Sequence, residues 1–344
     1  MKRIMTIFLL LCGLMLAAFA AGCGQDEGEG KTVALLFPNP SAGGPWQYIG
    51  DTCNKQMQEA GYKTNFQFCS SPENQVQQLR EAIAENPACI VIAAQDTGNL
   101  GEALAEAKEA GIPVVAYDRV IMHTDAISYY ASFENSSVGE FMARYVEEKL
   151  NLKGGAGPFN IEFLAGDPAD TNAPQFYGGA YDYLKPYIDK GQLVVRSGQV
   201  SFQDVATPGW SGEKAQSRME DILRRYYSGG EALNIVIASN DDLAAGVLKA
   251  QQAVGYSGPA TLLTGQDASK EAMENIRTGR QAMTIYKDPA VLCAKIVRMV
   301  KAMVEGSQPA VNDVTNIRND KITIPSYLCI PVIVDRENLD IVKN

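Results

Sequence analysis

Short apolar runs recur along the chain, each followed by a longer segment whose apolar positions fall at helical spacing. "TVALLF" (32–37) reads as a buried strand, residues 46–60 as a helix stopped at Gly61, and "KTNFQF" (63–68) as a second strand. "SPENQVQQLREAIAEN" (71–86) carries Pro72 and Glu73 where a helix begins. A strand "CIVIAA" (89–94), a helix "LGEALAEAKEAG" (100–111) closed by Gly111, and strands "IPVVAY" (112–117) and "ISYYASF" (127–133) follow. The alternation then restarts with "FNIEFLAG" (159–166), a helix over about 173–187, "QLVVRSGQV" (192–200), and a helix over about 213–227. "NIVIAS" (234–239), a helix over 242–253, "ATLLTGQ" (260–266), a helix from Ser269 to about 278, "AMTIY" (282–286) and a long helix over about 289–305 complete it.

Continuous apolar strands alternating with helices predict parallel sheets covered on both faces, and two such runs predict two similar α/β lobes. Ligands in such sheets bind just beyond the carboxyl ends of the strands. Those positions hold Asn39, then Gln95 and Asp96, then Asp118 and Arg119, then Glu134 and Asn135 in the first lobe. In the second they hold Asp167, Asp170 and Asn172, then Asn240, Asp241 and Asp242, then Gln266 and Asp267, then Lys287 and Asp288. Asp241 and Asp288 also read as helix caps.

Carboxylates, amides, one guanidinium and one ammonium suit bidentate hydrogen bonding to adjacent hydroxyls. A sugar site is completed by a flat ring on the C–H face of the pyranose. The two tryptophans, Trp46 in "AGGPWQ" and Trp210 in "TPGWSG", both lie in Gly/Pro-containing segments outside the apolar strands.

Composition narrows the function. Hydrophobic residues make up 46% of 344, enough to fill two cores. Net charge is −10, and no dense Lys/Arg cluster occurs, which argues against nucleic acid or an anionic membrane surface as partner. The single histidine, His123 in "MHTDA", reads as a surface residue and leaves no His-based metal site. No Gly-x-Gly-x-x-Gly follows a strand, and neither a phosphate-binding loop of the Gly-x-x-x-x-Gly-Lys type nor a Gly-x-Ser-x-Gly elbow is present. No cofactor is implied.

The N-terminus opens with Lys2 and Arg3, then an apolar run from Ile4 to Ala21, in the form of a secretory signal. "AAGC" (20–23) resembles the lipobox of bacterial lipoproteins. That resemblance implies processing after residue 22, a lipidated Cys23, and "GQDEGEG" as a tether ending near residue 30. The folded part then lies outside the cytoplasm, lipid-anchored to the cell membrane. Beyond Cys12 and Cys23, the five scattered cysteines 53, 69, 89, 293 and 329 give no disulfide framework. Cys89 and Cys329 sit in apolar runs and read as buried thiols.

"VVAYDRV", "YYASFENSSVGEFMA", "GDPADTNA", "VIASNDDLAAG", "LTGQDAS" and "TIYKD" occur in this order. Together they resemble the periplasmic sugar-binding proteins of the xylose-binding and multiple-monosaccharide-binding type, over about residues 31–335. The resemblance implies a type I periplasmic binding fold: two Rossmann-like lobes joined by three crossovers and closing on one monosaccharide. The first lobe would take residues 31–134 plus about 288–318, and the second 135–287 plus about 319–344. Asp118 and Arg119 would bind ring hydroxyls from the first lobe, Asp170 and Asn172 from the second. Trp210 would stack on the sugar, and Asn240, Asp267 and Lys287 would complete that side; Trp46 and Asn39 join them as candidates from the positions read above, not from the resemblance. The implied partner is an ABC transporter permease, and for some members a chemoreceptor or sensor kinase; the implied state is a monomer. One departure stands out. The family commonly carries a Lys and an Arg in the loop after the first strand, and here "PNPSAGGPW" (38–46) has neither. Arg119 is then the one cation among the first-lobe positions compared.

Two other readings use the same residues. A sensory binding protein for a furanosyl signal would share fold and site. A sugar-acting enzyme would use Asp118 and Asp267 as an acid/base pair.

Overall fold

The computed structural model describes residues 30–40 and 46–343. The expected signal sequence, Cys23 and the tether lie outside the described residues, as do residues 41–45 of the first loop.

Strands β1 (Thr32–Phe37), β2 (Lys63–Phe68), β3 (Cys89–Ile92), β4 (Val114–Tyr117) and β5 (Tyr129–Phe133) alternate with helices α1 (Trp46–Glu59), α2 (Pro72–Ala84) and α3 (Gly101–Glu109). All five strands run parallel, in the order β2-β1-β3-β4-β5. The uninterrupted apolar character of β1 follows from burial on both faces. Val33, Leu35 and Phe37 join one core with Cys53, Met57, Leu292 and Ile296, while Ala34 and Leu36 join another with Leu79, Leu104 and Ala107.

The second lobe contains α4 (Asn135–Lys149), β6 (Phe159–Leu164), α5 (Ala173–Asp189), β7 (Leu193–Val194), the single turn α6 (Phe202–Val205) and α7 (Gly212–Tyr226). It continues with β8 (Ile235–Ala238), α8 (Asp241–Ala253), β9 (Leu262–Leu263), α9 (Lys270–Thr278) and β10 (Met283–Tyr286). The parallel order is β7-β6-β8-β9, and Ile285 N–H donates to Gly265 O (2.9 Å) to bring β10 alongside. The strand expected over 192–200 is only two residues long. Beyond Val194 the backbone donor of Ser197 is taken by the Glu162 carboxylate (3.1 Å) instead of a ladder carbonyl.

Helix α10 (Pro289–Val304) returns to the first lobe, followed by β11 (Ser326–Cys329) and then β12 (Val332–Asp335). Here the expected division is corrected. Residues 319–329 do not join the second lobe: β11 pairs in parallel with β5 as the sixth strand of the first sheet, and the Asn319 amide donates to Ile121 O and Thr124 O (2.9 and 2.8 Å). From Pro331 onward the chain does lie with the second lobe: β12 pairs antiparallel with β10, and Leu339, Ile341 and Val342 pack on the cluster of Ala268, Tyr286 and Val334. The chain therefore passes between lobes at Glu134, at Lys287–Asp288 and at Ile330–Pro331.

Two features set the site's frame. Helices α4 and α5 pack backbone to backbone: a Cβ on Gly139 would lie 1.9 Å from Phe176 O, and one on Gly179 2.1 Å from Ser136 O. A disulfide, Cys53–Cys293, ties α1 to α10 across 240 residues. For Cys53 and Cys293 alone, this overturns the expectation of no disulfide. Neither count nor spacing could signal it, because the partners meet only where two helices distant in sequence share one sheet face. Cys69, Cys89 and Cys329 are buried free thiols.

Closing so long a loop restricts the unfolded chain, so reduction, or the Cys53→Ala/Cys293→Ala pair, should cost about 2–4 kcal/mol. Urea unfolding with and without reductant measures it; coincident curves would contradict it.

Candidate functional site

Between the lobes lies a cavity lined by Trp46, Tyr117, Asp118 and Arg119 from the first lobe and Asp170, Asn172, Phe176, Trp210, Asn240, Gln266, Asp267 and Lys287 from the second and its crossover. Nine of the ten expected contact residues line it. Asn39 is the exception: its N–H donates to Gln95 Oε1 (2.9 Å) and its amide to Ser70 O (3.4 Å).

The first-lobe side is built where β4 ends. Asp118 is left-handed (φ 63°), which turns the chain out of the strand. Its N–H donates to Ala131 O (2.8 Å), and its own carbonyl accepts from Tyr130 Oη (2.6 Å) and from Asn172 Nδ2 of the opposite lobe (3.0 Å). Arg119 is buried. Its Nη1 donates to Ala94 O and Gln95 O (3.0 and 3.2 Å), and Nη2 stands 3.6 Å from Asp170 Oδ2 across the cleft. The guanidinium lies 5.2 Å from the ring centre of Trp46. Trp46 is the first residue of α1, where the expected 46–60 helix begins, and is buried edge-on to Tyr117, so it forms the floor beneath Arg119.

The second-lobe side hangs on the start of α5. Asp170 Oδ1 accepts the Asn172 N–H (2.9 Å), and its Oδ2 accepts from Trp210 Nε1 (3.3 Å). Asn135 Nδ2 donates to Asn172 Oδ1 (2.9 Å), so the amide that reaches Asp118 is oriented from the first crossover. Trp210 is itself left-handed (φ 53°), and its ring occupies the space a Cβ on Gly166 would need, 2.0 Å away. Asp267 is left-handed as well (φ 93°), and Lys287 Nζ lies 3.4 Å from its Oδ1 and 5.2 Å from the ring centre of Phe176. Asn240 lines the cavity while its Oδ1 caps α8 through Leu243 N–H (2.9 Å).

Burial raises the Asp170 carboxyl above the usual range, against the pull of Arg119. Burial works to lower Lys287, but Asp267, Asp118 and Asp170 outweigh it, so the ammonium titrates above its ordinary value. Asp288 caps α10 as expected, through Ala290 N–H (2.9 Å). Asp241 does not cap its helix. It is buried one residue inside, accepting from Ser269 N–H (2.8 Å), Gln281 Nε2 (3.0 Å) and Thr284 Oγ1 (2.9 Å). Burial pushes its carboxyl up to about 7.

Phe176 and Tyr286 are lining residues that the strand-end rule does not select. Phe176 sits one helical turn beyond Asn172, a spacing that points it to the same side as the helix start. Tyr286 closes β10 directly before Lys287.

Two α/β lobes enclosing a cavity, with hydrogen-bonding groups of both lobes meeting across it and aromatic rings in its walls, define a solute-binding protein. The chain belongs to the periplasmic binding protein family: residues 33–308 match the periplasmic binding protein domain. It is 40% identical over 318 residues to the multiple sugar-binding periplasmic protein SbpA of Azospirillum brasilense, covering 91% of this chain and 87% of that protein. It is 40% identical over 327 residues to the multiple sugar-binding periplasmic receptor ChvE of Rhizobium radiobacter (94% and 90%). The crystal structure of an ABC transporter solute-binding protein from Clostridium phytofermentans with bound β-D-glucose superposes with a TM-score of 0.84 at 44% identity, covering 90% of this chain and 95% of that one. These matches establish the type I periplasmic binding fold.

The Asp241 carboxyl yields a pH prediction. Its folded pKa lies above the unfolded value near 3.9, so between about pH 4 and pH 7 the folded state holds a proton that the unfolded state has lost. Stability contributed here falls as pH rises through that window. Melting curves from pH 4 to 8 should show a shallower decline for Asp241→Asn than for the parent protein; parallel profiles would refute the assignment.

Proposed function

We propose that this protein is an extracytoplasmic solute-binding protein that captures a monosaccharide by closure of its two lobes and delivers it to an ABC importer permease. It acts as a monomer, does no chemistry on the sugar, and is held at the membrane by lipid on Cys23. The observation that carries this reading is the meeting of the lobes through ligand-type groups, Arg119 with Asp170 and Asn172 with Asp118. The names of the relatives, which bind several sugars, support the ligand class.

The chemistry follows from the groups present. Sugar hydroxyls both donate and accept, so a site needs fixed acceptors and fixed donors side by side. Asp118, Asp170 and Asp267 accept; Arg119, Lys287 and the amides of Asn172 and Asn240 donate. Trp46, Phe176 and Trp210 cover the less polar faces. Each polar group already has a protein partner, which holds it in position before a ligand arrives.

Titration calorimetry with D-glucose, D-galactose, D-xylose and L-arabinose should find at least one sugar that binds. At a hundredfold excess over Kd it should stabilise the fold by about 2.7 kcal/mol. Arg119→Ala removes charge-assisted donors and leaves Asp170 unpaired, which should weaken that sugar by about a hundredfold. No heat and no melting shift with any of the four would sink the proposal. Gly166→Ala should weaken the same sugar by about tenfold or more while the protein stays folded, because the new methyl group displaces the Trp210 ring. Unchanged affinity and unchanged tryptophan emission would show that Trp210 is not positioned by Gly166.

A further inference from the structure

The cleft holds more acid than base. Asp170 is paired with Arg119 at 3.6 Å and Asp267 with Lys287 at 3.4 Å. Asp118 has no cation within ion-pair distance among the described residues. Its carboxylate meets only Ser132 Oγ (3.3 Å) and Asn172 Nδ2 (3.4 Å), both at the long end of hydrogen bonding. Asp241 and Asp242 lie close enough to Asp267 for its charge to act on both carboxyls. The loop over residues 38–46 brings no charge, whatever path it takes, because "PNPSAGGPW" contains none. The start of α5 adds about half a positive charge, which leaves three carboxylates against two cations still negative.

Each cation already faces an acid of the cleft. Arg119 Nη1 is shared between two backbone carbonyls, Nη2 faces Asp170 at 3.6 Å, and Nε is buried without a hydrogen-bond partner. Lys287 is held between Asp267 and the Phe176 ring. A ligand hydroxyl can donate to Asp118. A ligand ammonium would do so with charge assistance and supply the missing cation. A ligand carboxylate would be desolvated beside Asp118 and would have to compete with Asp170 and Asp267 for the only two cations lining the cavity among the described residues.

We propose that the cleft selects its sugar by charge: neutral and aminated monosaccharides enter, carboxylated ones are turned away, and Asp118 is the residue that decides. This deepens the monosaccharide reading and rests on it.

The test is calorimetric titration of the purified protein with D-glucose, D-glucosamine and D-glucuronate, and with the three galactose counterparts. It is run at about pH 6, below the ordinary range of an amine of this kind. The expected order places the amino sugar within about tenfold of its neutral parent and the uronate about a hundredfold or more weaker. In Asp118→Asn the gap between neutral and carboxylated sugar should narrow by about tenfold or more. A uronate that binds the parent protein within about threefold of its neutral hexose overturns the proposal, as does a gap that Asp118→Asn leaves unmoved. Binding of neither D-glucose nor D-galactose also overturns it, and a pentose that still binds would then leave the receptor reading standing.

Discussion

The backbone carbonyl of Asp118 is the point on which the two halves of the molecule depend. It accepts one hydrogen bond from Tyr130 of its own sheet and one from Asn172 of the opposite lobe. That geometry requires the left-handed backbone at Asp118, since an extended residue would carry the carbonyl on along β4. Asn172 in turn is oriented by Asn135 at the first crossover. One peptide group thus joins a strand end, a helix start and a hinge. The Asp118 side chain is set by the same turn.

Strain and charge coincide in this cleft. Asp118, Trp210 and Asp267 are all left-handed, none is glycine, and all three line the cavity. Each such residue costs on the order of 1 kcal/mol or more, and persists only where its surroundings over-determine it. Here they do. Asp118 is held through its N–H and carbonyl, Trp210 through Asp170 and the gap at Gly166, and Asp267 through its N–H to Ile285 O (2.8 Å). The fold accepts these conformations because they turn side chains away from the strand direction and into the space between lobes.

Much of this was legible in the chain. The apolar runs located the strands, and the rule that ligands meet strand ends selected Asp118, Arg119, Asp267 and Lys287 without reference to any relative. What stayed hidden depends on contacts distant in sequence. Cys53 and Cys293 give no local signal, because only the shared sheet face of α1 and α10 brings them together. Ser326–Cys329 looks like any short apolar run, and only its register against Tyr130–Phe133 assigns it to the first sheet. Asp241 failed as a cap because Asn240 holds that position, leaving the acid to be buried among Ser269, Gln281 and Thr284. Asn39 followed a strand, as a site residue should, yet Gln95 and Ser70 claim it.

The same contacts explain how binding can be coupled to movement. Each lobe is stiffened internally: the first by the α1–α10 disulfide, the second by the close approach of α4 and α5 at Gly139 and Gly179. The lobe closure proposed for capture would therefore fall on the three short crossovers. Two of these carry residues that hold cavity-lining side chains. Asn135, directly after Glu134, holds Asn172, and Lys287, directly before Asp288, holds Asp267. A ligand shifts a two-state equilibrium only by its differential affinity for the two states. With donors and acceptors divided between lobes, the full set is within reach of one small molecule only when the lobes are together. An open cleft offers half of the contacts, and the difference between half and full is the free energy that closure draws on.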